Sequence, residues 1–558
     1  MKFFARSAIV LLLLYGMVFA FADAFLVYAH APMWIAMAFV FVFVILQFTL
    51  SPWIIEWIYS IDWDEQEIPA ANREFVENLC RERGLPKLKL GIIHSDTPNA
   101  FSFGRFRADA RVVITEGLLK ILTAEEANAV LAHEIGHVEH YDFAIMTLAA
   151  AAPLVLYQMY VWGRNIKNVR TIAWGAYFAY LIGQFLVLTL NRTREYWADH
   201  YSATCTHAPG DLASALVKIA YGMVKLDGTQ REILQTGSKE QKKDANRQRA
   251  FGSAIAMMGI SNINSAQSLA LGMANPEQAA AVMKWDLVNP WSRVYELSST
   301  HPLTALRVRA LNDDAREMHT AVEYPLPEDR RMRWGAFPLE FVLWAAPFIP
   351  TAALLFEVVF HRFIRLLGFS VPANYTAWML IAAGLLWALR IAFRYHGKFE
   401  SRHIQDLLED LGVSQMRPRA VELHGEILGN GVPGAFWSPD LVMSDGSGLM
   451  FLLYRSSIPL GRLFFAVKDA NSFIGETITV RGWYRRGLRP YVEISEIYSN
   501  VSEAKINGSG PISIFSRATL DASESAKTTV LYRRSYSRWI QLAVSAAVCV
   551  AGIVWILN

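Results

Sequence analysis

The stretch LTAEEANAVLAHEIGHVEH occupies residues 122–140 and contains the pattern from which the central helix of the fold is predicted. Thr123 is followed three residues later by Glu126, a pair typical of a capping box at the N-terminus of a helix. The sequence therefore predicts a helix that begins beside Thr123 and continues through His133 and His137. The two histidines are four residues apart, so their side chains share one helix face.

Two imidazoles on one helix face can bind the same metal ion. Zinc suits them because it accepts imidazole nitrogen and carboxylate oxygen in a tetrahedral shell, and a catalytic site leaves the fourth position to water. Glu134 follows the first histidine and is placed to take a proton from that water. The same spacing also occurs when two histidines are ordinary polar residues on an amphipathic helix, so the pattern needs its context.

A third protein ligand has to come from elsewhere in the chain. The longer pattern HExxHxxGxxH would supply it from the same segment, but His140 occupies the glycine position and Phe143 the third histidine position. A carboxylate from a second helix is the remaining source. The sequence REYWAD at residues 194–199 offers Glu195 as the ligand, with Asp199 placed to orient a ligand imidazole.

The chain is too apolar for an ordinary soluble protein. It has 558 residues, 53% of them hydrophobic, and a mean hydropathy of +0.23. A helix needs roughly 20 mostly apolar residues to cross the hydrocarbon core of a bilayer. Stretches of about that length lie at 8–29, 33–52, 143–162, 171–190, 337–360, 376–394 and 539–557. The first also resembles a signal peptide, but the second follows at once and favours an anchoring pair.

The net charge and the cysteine positions bear on which partners the protein has and on whether it forms disulfides. The formal net charge of +3 gives no support for a nucleic-acid partner. Cys80, Cys205 and Cys549 lie far apart and form no CxxC pair, so no disulfide framework is expected. Basic residues beside the spans favour a cytoplasmic catalytic region, although the loop at 164–170 and Arg362 with Arg365 argue for the opposite orientation.

The ordered set of motifs resembles the membrane zinc metallopeptidases, a family that includes the HtpX heat-shock protease, Oma-type mitochondrial proteases and the CAAX prenyl protease. The early position of HExxH, soon after two spans, is closer to HtpX than to the prenyl protease. The matching features end near Leu311 and are the two N-terminal spans, Asn99-Ala100-Phe101, Gly117-Leu118-Leu119, AHEIGH at 132–137, the second hairpin, REYWAD at 194–199 and Ser299-Thr300-His301-Pro302.

The resemblance implies one Zn²⁺ per chain, bound by His133, His137 and Glu195, with Glu134 as the catalytic base. It also implies that the strand from Asn99 through Ala100 and Phe101 to Phe103 lines the cleft, where it can pair with the substrate backbone. His301 either stabilises the oxyanion or simply precedes a helix at 303–311, and the second interpretation is favoured.

The expected fold is a multi-span α-helical membrane protein with a mainly helical HExxH peptidase domain, a small edge sheet and a C-terminal β-barrel of the OB type. The expected strands of this barrel are 421–427, 441–444, 449–454, 477–484 and 491–498. The expected divisions are an N-terminal hairpin at 1–60, a peptidase domain at 61–142 and 191–330, hairpins at 143–190 and 331–400, a β domain at 415–505 and a last helix at 539–557.

The function that follows is a membrane zinc metalloendopeptidase in the plasma (inner) membrane, acting on peptides or membrane proteins in quality control. One alternative is a processing protease for lipidated, CAAX-type peptides. Another is a membrane scaffold with a structural metal site. The β domain is a candidate for binding a protein partner. No nucleic acid is expected there, although Arg481, Trp483, Tyr484, Arg485 and Arg486 could in principle stack on bases and meet phosphates.

Overall fold

The computed structural model describes residues 33–219, 276–327, 331–354, 374–430, 440–456, 473–487, 490–501 and 528–557, with single positions at 13, 17 and 465. The predicted span at 8–29 lies almost entirely outside these residues. The chain divides into two compact units. One comprises Met1–Asp286 with Arg293–Glu328, and the other comprises Leu287–Ser292 with Asp329–Asn558.

The helices described up to residue 317 lie in the first unit, apart from residues 287–292 at the end of one helix and the start of the next. A further helical stretch at 209–219 follows the longest of them. In chain order they are α1 (Met33–Tyr59), α2 (Ala70–Glu82), α3 (Glu116–Ile121), α4 (Ala124–Glu139), α5 (Asp142–Gly163), α6 (Arg170–Thr206), α7 (Pro276–Val288), α8 (Pro290–Glu296) and α9 (Thr304–Glu317).

A three-stranded sheet lies beside α4. Its strands are β1 (Lys89–Ile93), β2 (Ala100–Phe103) and β3 (Arg111–Thr115), in the order β1-β3-β2. Strand β1 runs parallel to β3, whereas β2 runs antiparallel to it. Strand β2 is therefore an edge strand, and in the described part of the chain no other strand pairs with its outer side.

Helix α4 begins as its sequence predicts. The Thr123 hydroxyl accepts from the Glu126 amide, and the Glu126 carboxylate accepts from the Thr123 amide at 2.9 Å. Further along α4, a side chain at Gly136 would lie 3.1 Å from the Tyr201 ring and 3.3 Å from the Ala198 backbone. Gly136 therefore allows α4 and α6 to approach closely where the histidines and the carboxylates face each other.

Five helices in the described residues are long and apolar enough to cross a membrane. They correspond to five of the seven predicted stretches, while the stretch at 33–52 lies in α1, whose described apolar part is shorter. Helix α6 continues well beyond the predicted end at residue 190, so one unbroken helix carries both a candidate span and the REYWAD motif. The five are Asp142–Gly163, Arg170–Thr206, Phe337–Leu354, Tyr375–Arg394 and Ser537–Leu557.

The second unit combines the last three of these spans with a β structure. Its helices are α10 (Phe337–Ala345), α11 (Tyr375–Arg394), α12 (Ile404–Glu409) and α13 (Ser537–Leu557). Its strands are β4 (Glu400–Ser401), β5 (Arg419–Asn430), β6 (Asp440–Ser444), β7 (Leu449–Leu453), β8 (Thr477–Arg486), β9 (Pro490–Val501) and β10 (Thr528–Arg534).

Five of these strands close into a barrel. Strand β5 pairs with β6, β6 with β7, β7 with β9, β9 with β8, and β8 with β5 again. The β7–β9 pair is parallel and the others are antiparallel. The small C-terminal barrel predicted from the β-rich runs is confirmed, with β4 and β10 added at its margins.

Candidate metal centre

His133, His137 and Glu195 converge on one buried point between α4 and α6. The Nε2 atom of His133 lies 3.7 Å from one Glu195 carboxylate oxygen, and the Nε2 atom of His137 lies 3.7 Å from the other. All three ligand atoms lie within 4.8 Å of one another. The side chains are buried, with residue exposures of 0%, 8% and 4%.

This arrangement fits a tetrahedral zinc ion. Ligand atoms about 2.0–2.1 Å from a tetrahedral ion are separated by roughly 3.4 Å, close to the two distances of 3.7 Å. The Nε2 atom of His133 and the Oε2 atom of Glu195 are buried and form no hydrogen bond among the described residues. Because buried polar atoms are normally hydrogen-bonded or coordinated, the Nε2 atom of His133 supports a bound cation here, whereas the Glu195 oxygen also has Arg307 at 3.5 Å.

A carboxylate holds the far nitrogen of each histidine. Asp199 lies 3.0 Å from the Nδ1 atom of His133, and Asp142 lies 2.6 Å from the Nδ1 atom of His137. Both contacts leave Nε2 directed at the shared point, the arrangement in which a second carboxylate fixes the orientation of a ligand imidazole. Burial alone would lower the pKa of His137, but the Asp142 carboxylate outweighs it and raises the pKa.

Two arginines neutralise these supporting carboxylates. Arg307 on α9 contacts both oxygens of Asp199, at 2.6 and 2.8 Å, and also lies 3.5 Å from Glu195. Arg194 lies 2.9 Å from Asp142. Burial would lower the pKa of Arg307, but the adjacent Asp199 raises it, so the guanidinium stays charged.

The sequence predicted Asp199 beside a ligand imidazole, and the structure has it 3.0 Å from His133; it did not predict the contacts of Asp142, Arg194 and Arg307. Asp142 follows a sharp turn at Tyr141, whose φ of +58° lies in the left-handed region, and this turn separates α4 from α5. The position of Asp142 just after the HExxH helix was a usable signal. Arg307 lies more than a hundred residues from Glu195 in sequence, and no motif connects them.

Glu134 directly follows His133 in α4 and contacts the edge strand. Its Oε2 atom accepts a hydrogen bond from the Ser102 hydroxyl at 2.8 Å. Strand β2 thus brings Ala100 and Phe101 to the same region, while Asn99 just before it is buried and its side chain accepts from the Ala100 amide.

His301 also reaches the centre, although the helix that follows it begins only at Thr304. Its Nε2 atom lies 3.9 Å from Glu195. Arg192 positions the preceding loop by donating to the carbonyls of Glu296 and Ser299 at 2.7 and 2.9 Å. Burial lowers the pKa of His301, which favours the neutral imidazole.

The remaining histidines near the motif have other partners. His140 contacts the Gly136 carbonyl through Nδ1 at 2.7 Å, as expected for an ordinary polar residue. His94 lies apart from the centre and is half-exposed, with Asp62 and Glu67 near its ring.

The chain is similar to one group of known proteins. The profile described as Peptidase family M48 matches residues 70–315. The chain is 40% identical over 198 residues to the "Protease HtpX homolog" of Methanothermobacter thermautotrophicus, covering 35% of this chain and 75% of that protein. It is 37% identical over 164 residues to the protein of the same name from Moorella thermoacetica, covering 27% and 55%.

A third relative is the "Protease HtpX homolog 2" of Methanosarcina acetivorans, 34% identical over 215 residues that cover 36% of this chain and 73% of that protein. Among solved structures, the crystal structure of S. mikatae Ste24p aligns with 53% of this chain and 62% of its own, at 18% identity and a TM-score of 0.33.

Proposed function

Because this chain belongs to peptidase family M48, whose HtpX homologues are membrane metalloproteases, we propose that it is a zinc metalloendopeptidase of the HExxH…ExxxD type. In this proposal His133, His137 and Glu195 bind one zinc ion and Glu134 is the catalytic base. The observation that carries the proposal is the convergence of the three buried ligand atoms, one of them on His133, the residue that directly precedes Glu134.

Each step of peptide hydrolysis has a residue to perform it. Bound zinc would polarise the scissile carbonyl and make water more acidic. Glu134 takes a proton from the attacking water and later returns it to the leaving amine. His301, neutral and 3.9 Å from Glu195, is positioned to donate a hydrogen bond to the oxyanion that develops on the carbonyl.

The edge strand suggests how substrate binds. No strand of the described residues pairs with the outer side of β2, whose Ser102 contacts Glu134, and an extended peptide could add to it there. Main-chain hydrogen bonds of this kind tolerate many sequences. We therefore propose that Asn99, Ala100 and Phe101 line the substrate cleft and that substrates pair as strands with the outer side of β2, with little demand on their side chains.

The chain is an integral membrane protein, and two of its candidate spans carry residues of the centre, Asp142 at the start of α5 and Glu195 in α6. Helix α6 is a candidate span in its first half and carries Glu195 in its second. This continuity favours substrates at the membrane, and we propose membrane-protein quality control at the plasma (inner) membrane with a cytoplasmic centre. The C-terminal barrel, which we propose to be of the OB type, is a candidate docking site for a protein partner.

The test compares wild type with Glu134→Gln in the full-length protein. We expect the variant to retain about one zinc per chain and to lose roughly 10²-fold or more in peptide cleavage, since general base catalysis contributes that much. The matched control is Glu125→Gln, at the exposed first turn of the same helix, which should cleave at the wild-type rate. Zinc retention with unchanged cleavage in Glu134→Gln would contradict the assignment and favour a structural metal site.

Two further measurements separate the substrate classes. Proteomics of membranes that express wild type or Glu134→Gln should reveal proteins that accumulate only with the variant. A cleavage assay with matched lipidated and bare peptides addresses the processing alternative. Efficient cleavage of the bare peptide supports quality control, whereas a strict requirement for the lipid would replace it with processing.

A further inference from the structure

A cleft of about 280 Å³ lies in the second unit, where the barrel meets the ends of two candidate spans. Helices α11 and α13 pack antiparallel: Gly384 lies against Ser545 and Cys549, and Gly552 lies against Ala377. The last residue of α11, Arg394, and the first of α13, Ser537, therefore lie at the same end of the pair.

Because α11 and α13 are both candidate spans, this end of the pair is where the apolar helices meet the barrel. Exposed apolar residues cover α13 further along, among them Val544, Val550 and Trp555, as expected for a surface that faces lipid. Strands β8 and β9 of the barrel line the other side of the cleft and contribute polar side chains, among them Glu493 and Glu496. Trp539 is 59% exposed at the start of α13, and tryptophan is enriched where a bilayer meets water.

Arg538 is the notable cation of the cleft. Its guanidinium lies over the Trp539 ring at 4.4 Å and over the Trp483 ring at 5.6 Å. It donates to the Tyr395 carbonyl at 3.4 Å, and no carboxylate among the described residues forms an ion pair with it. Arg538 is thus held in place by aromatic faces and one carbonyl, with its charge not neutralised by an acidic side chain.

The two acidic residues that line the cleft are already neutralised. Glu493 accepts from the Arg485 guanidinium at 2.9 Å and from the Tyr395 hydroxyl at 2.5 Å, and Arg394 and Arg455 lie within 4 Å of it. Glu496, the other acid, pairs with a half-exposed cleft arginine at position 534, 2.6 Å away. The cleft lining thus holds two arginines and two glutamates, and among the described residues Arg538 is the lining arginine without an acidic partner.

We propose that this cleft binds the phosphate group of an anionic phospholipid, with Arg538 as the main contact and Arg534 as the second. A guanidinium offers several donors in a plane that matches phosphate oxygens. Basic pockets beside membrane helices are suited to lipid head groups. The cleft is close to the lower end of the range for small-ligand sites, roughly 300–1,000 Å³, and its place at the helix ends lets the acyl chains run along α13.

The experiment measures binding of a fluorescent phosphatidylglycerol to the purified full-length protein in detergent, with fluorescent phosphatidylcholine as the reference lipid. We expect tighter binding of phosphatidylglycerol, and about tenfold weaker binding of it by Arg538→Gln, which loses a charge-assisted contact. The matched control is Arg419→Gln, an exposed arginine of the same unit that pairs with Asp410 outside the cleft. It should bind like wild type.

A second variant, Arg538→Lys, keeps the positive charge and so separates the loss of charge from a loss of folding. It should bind phosphatidylglycerol better than Arg538→Gln, and the two variants should have equal melting temperatures. Soluble glycerol phosphate is added as a competitor to distinguish a lipid from a free phosphate. Equal losses in Arg538→Gln and Arg419→Gln, or no loss in Arg538→Gln, would overturn the proposal. Full displacement of the lipid by micromolar glycerol phosphate would also overturn it, because the site would then take a free phosphate.

Discussion

The hydroxyl of Ser102 donates a hydrogen bond of 2.8 Å to the carboxylate of Glu134. Ser102 belongs to the edge strand β2 and Glu134 to the helix that carries both histidines. The contact joins the strand where we propose that substrate pairs to the residue that we propose as base. A peptide added to β2 would therefore lie at a fixed distance from the group that activates water.

Replacing Ser102 with alanine should slow catalysis without removing the metal. The hydroxyl stabilises one orientation of the Glu134 carboxylate, and a hydrogen bond to a charged group contributes about 1.5–3 kcal/mol. We expect kcat to fall about tenfold, with KM and zinc content close to the wild-type values. Steady-state kinetics with zinc analysis check this. An unchanged kcat would mean that Glu134 is oriented by other contacts.

The sequence predicted the part of the centre that local periodicity encodes. Helix α4, its capping box and the shared face of His133 and His137 follow from spacing alone, because helical geometry fixes which side chains are neighbours. Glu195, on a second helix, was predicted as a ligand from the REYWAD motif. Arg307 could not be predicted, because its contact with Asp199 depends on the packing of α9 against α6, and no local pattern encodes that packing.

Removing Arg307 should destabilise the protein and weaken zinc binding. Arg307→Met leaves the buried Asp199 carboxylate without its bidentate partner, and breaking a buried ion pair costs about 3–5 kcal/mol. We expect a clearly lower melting temperature and reduced zinc retention during dialysis.

The matched control for this change is Arg316→Gln on the same helix. Arg316 is exposed and pairs with Asp313 at 3.1 Å, and an exposed pair contributes about 0–1 kcal/mol. The melting temperature of this variant should stay close to that of wild type. Similar losses in both variants would indicate that α9 is sensitive to any loss of positive charge, and the role given to Arg307 would be wrong.

Asp142→Asn should reduce the affinity for zinc. The carboxylate accepts from His137 and is held by Arg194, so it both orients the imidazole and makes it a better donor to the metal. Loss of such a supporting carboxylate typically costs 10–100-fold in metal affinity. Competition with a chromophoric chelator measures the change.

The control for Asp142→Asn is Asp96→Asn, which removes a carboxylate from an exposed pair with Lys120. Its zinc affinity should equal that of wild type. If Asp142→Asn also binds zinc as wild type does, the orientation of His137 is set by packing within α4 and α5, and the carboxylate is dispensable.

Parts of the fold could also be predicted from the sequence. The β-rich runs between residues 421 and 498 predicted the barrel strands, since alternating β-formers with glycine turns are a local signal. The length of α6 was less evident. A hydropathy pattern ends a span where polar residues begin, but the helix continues to Thr206 because Glu195 and Asp199 face α4 in its interior.

The last prediction concerns His94, which links three segments away from the metal. Its Nδ1 atom lies 2.5 Å from Glu116 at the start of α3, and its Nε2 atom lies 3.6 Å from both Asp62 and Glu67. The hydrogen bond to Glu116 raises the pKa of His94. Because folding raises this pKa, protonated His94 stabilises the folded protein. The stabilisation is fully present below the pKa of the unfolded chain, about 6.5. It is lost as the pH rises through the pKa of the folded protein.

His94→Gln should therefore lower the melting temperature at pH 5.5 and have little effect at pH 9. The ring is half-exposed, so solvent screening limits the contribution to about 1 kcal/mol or less. The difference between wild type and variant should shrink in 1 M salt, where the Debye length falls to about 3 Å. A difference that stays constant from pH 5.5 to 9 would assign His94 a packing role, since only the charged imidazole attracts these three carboxylates.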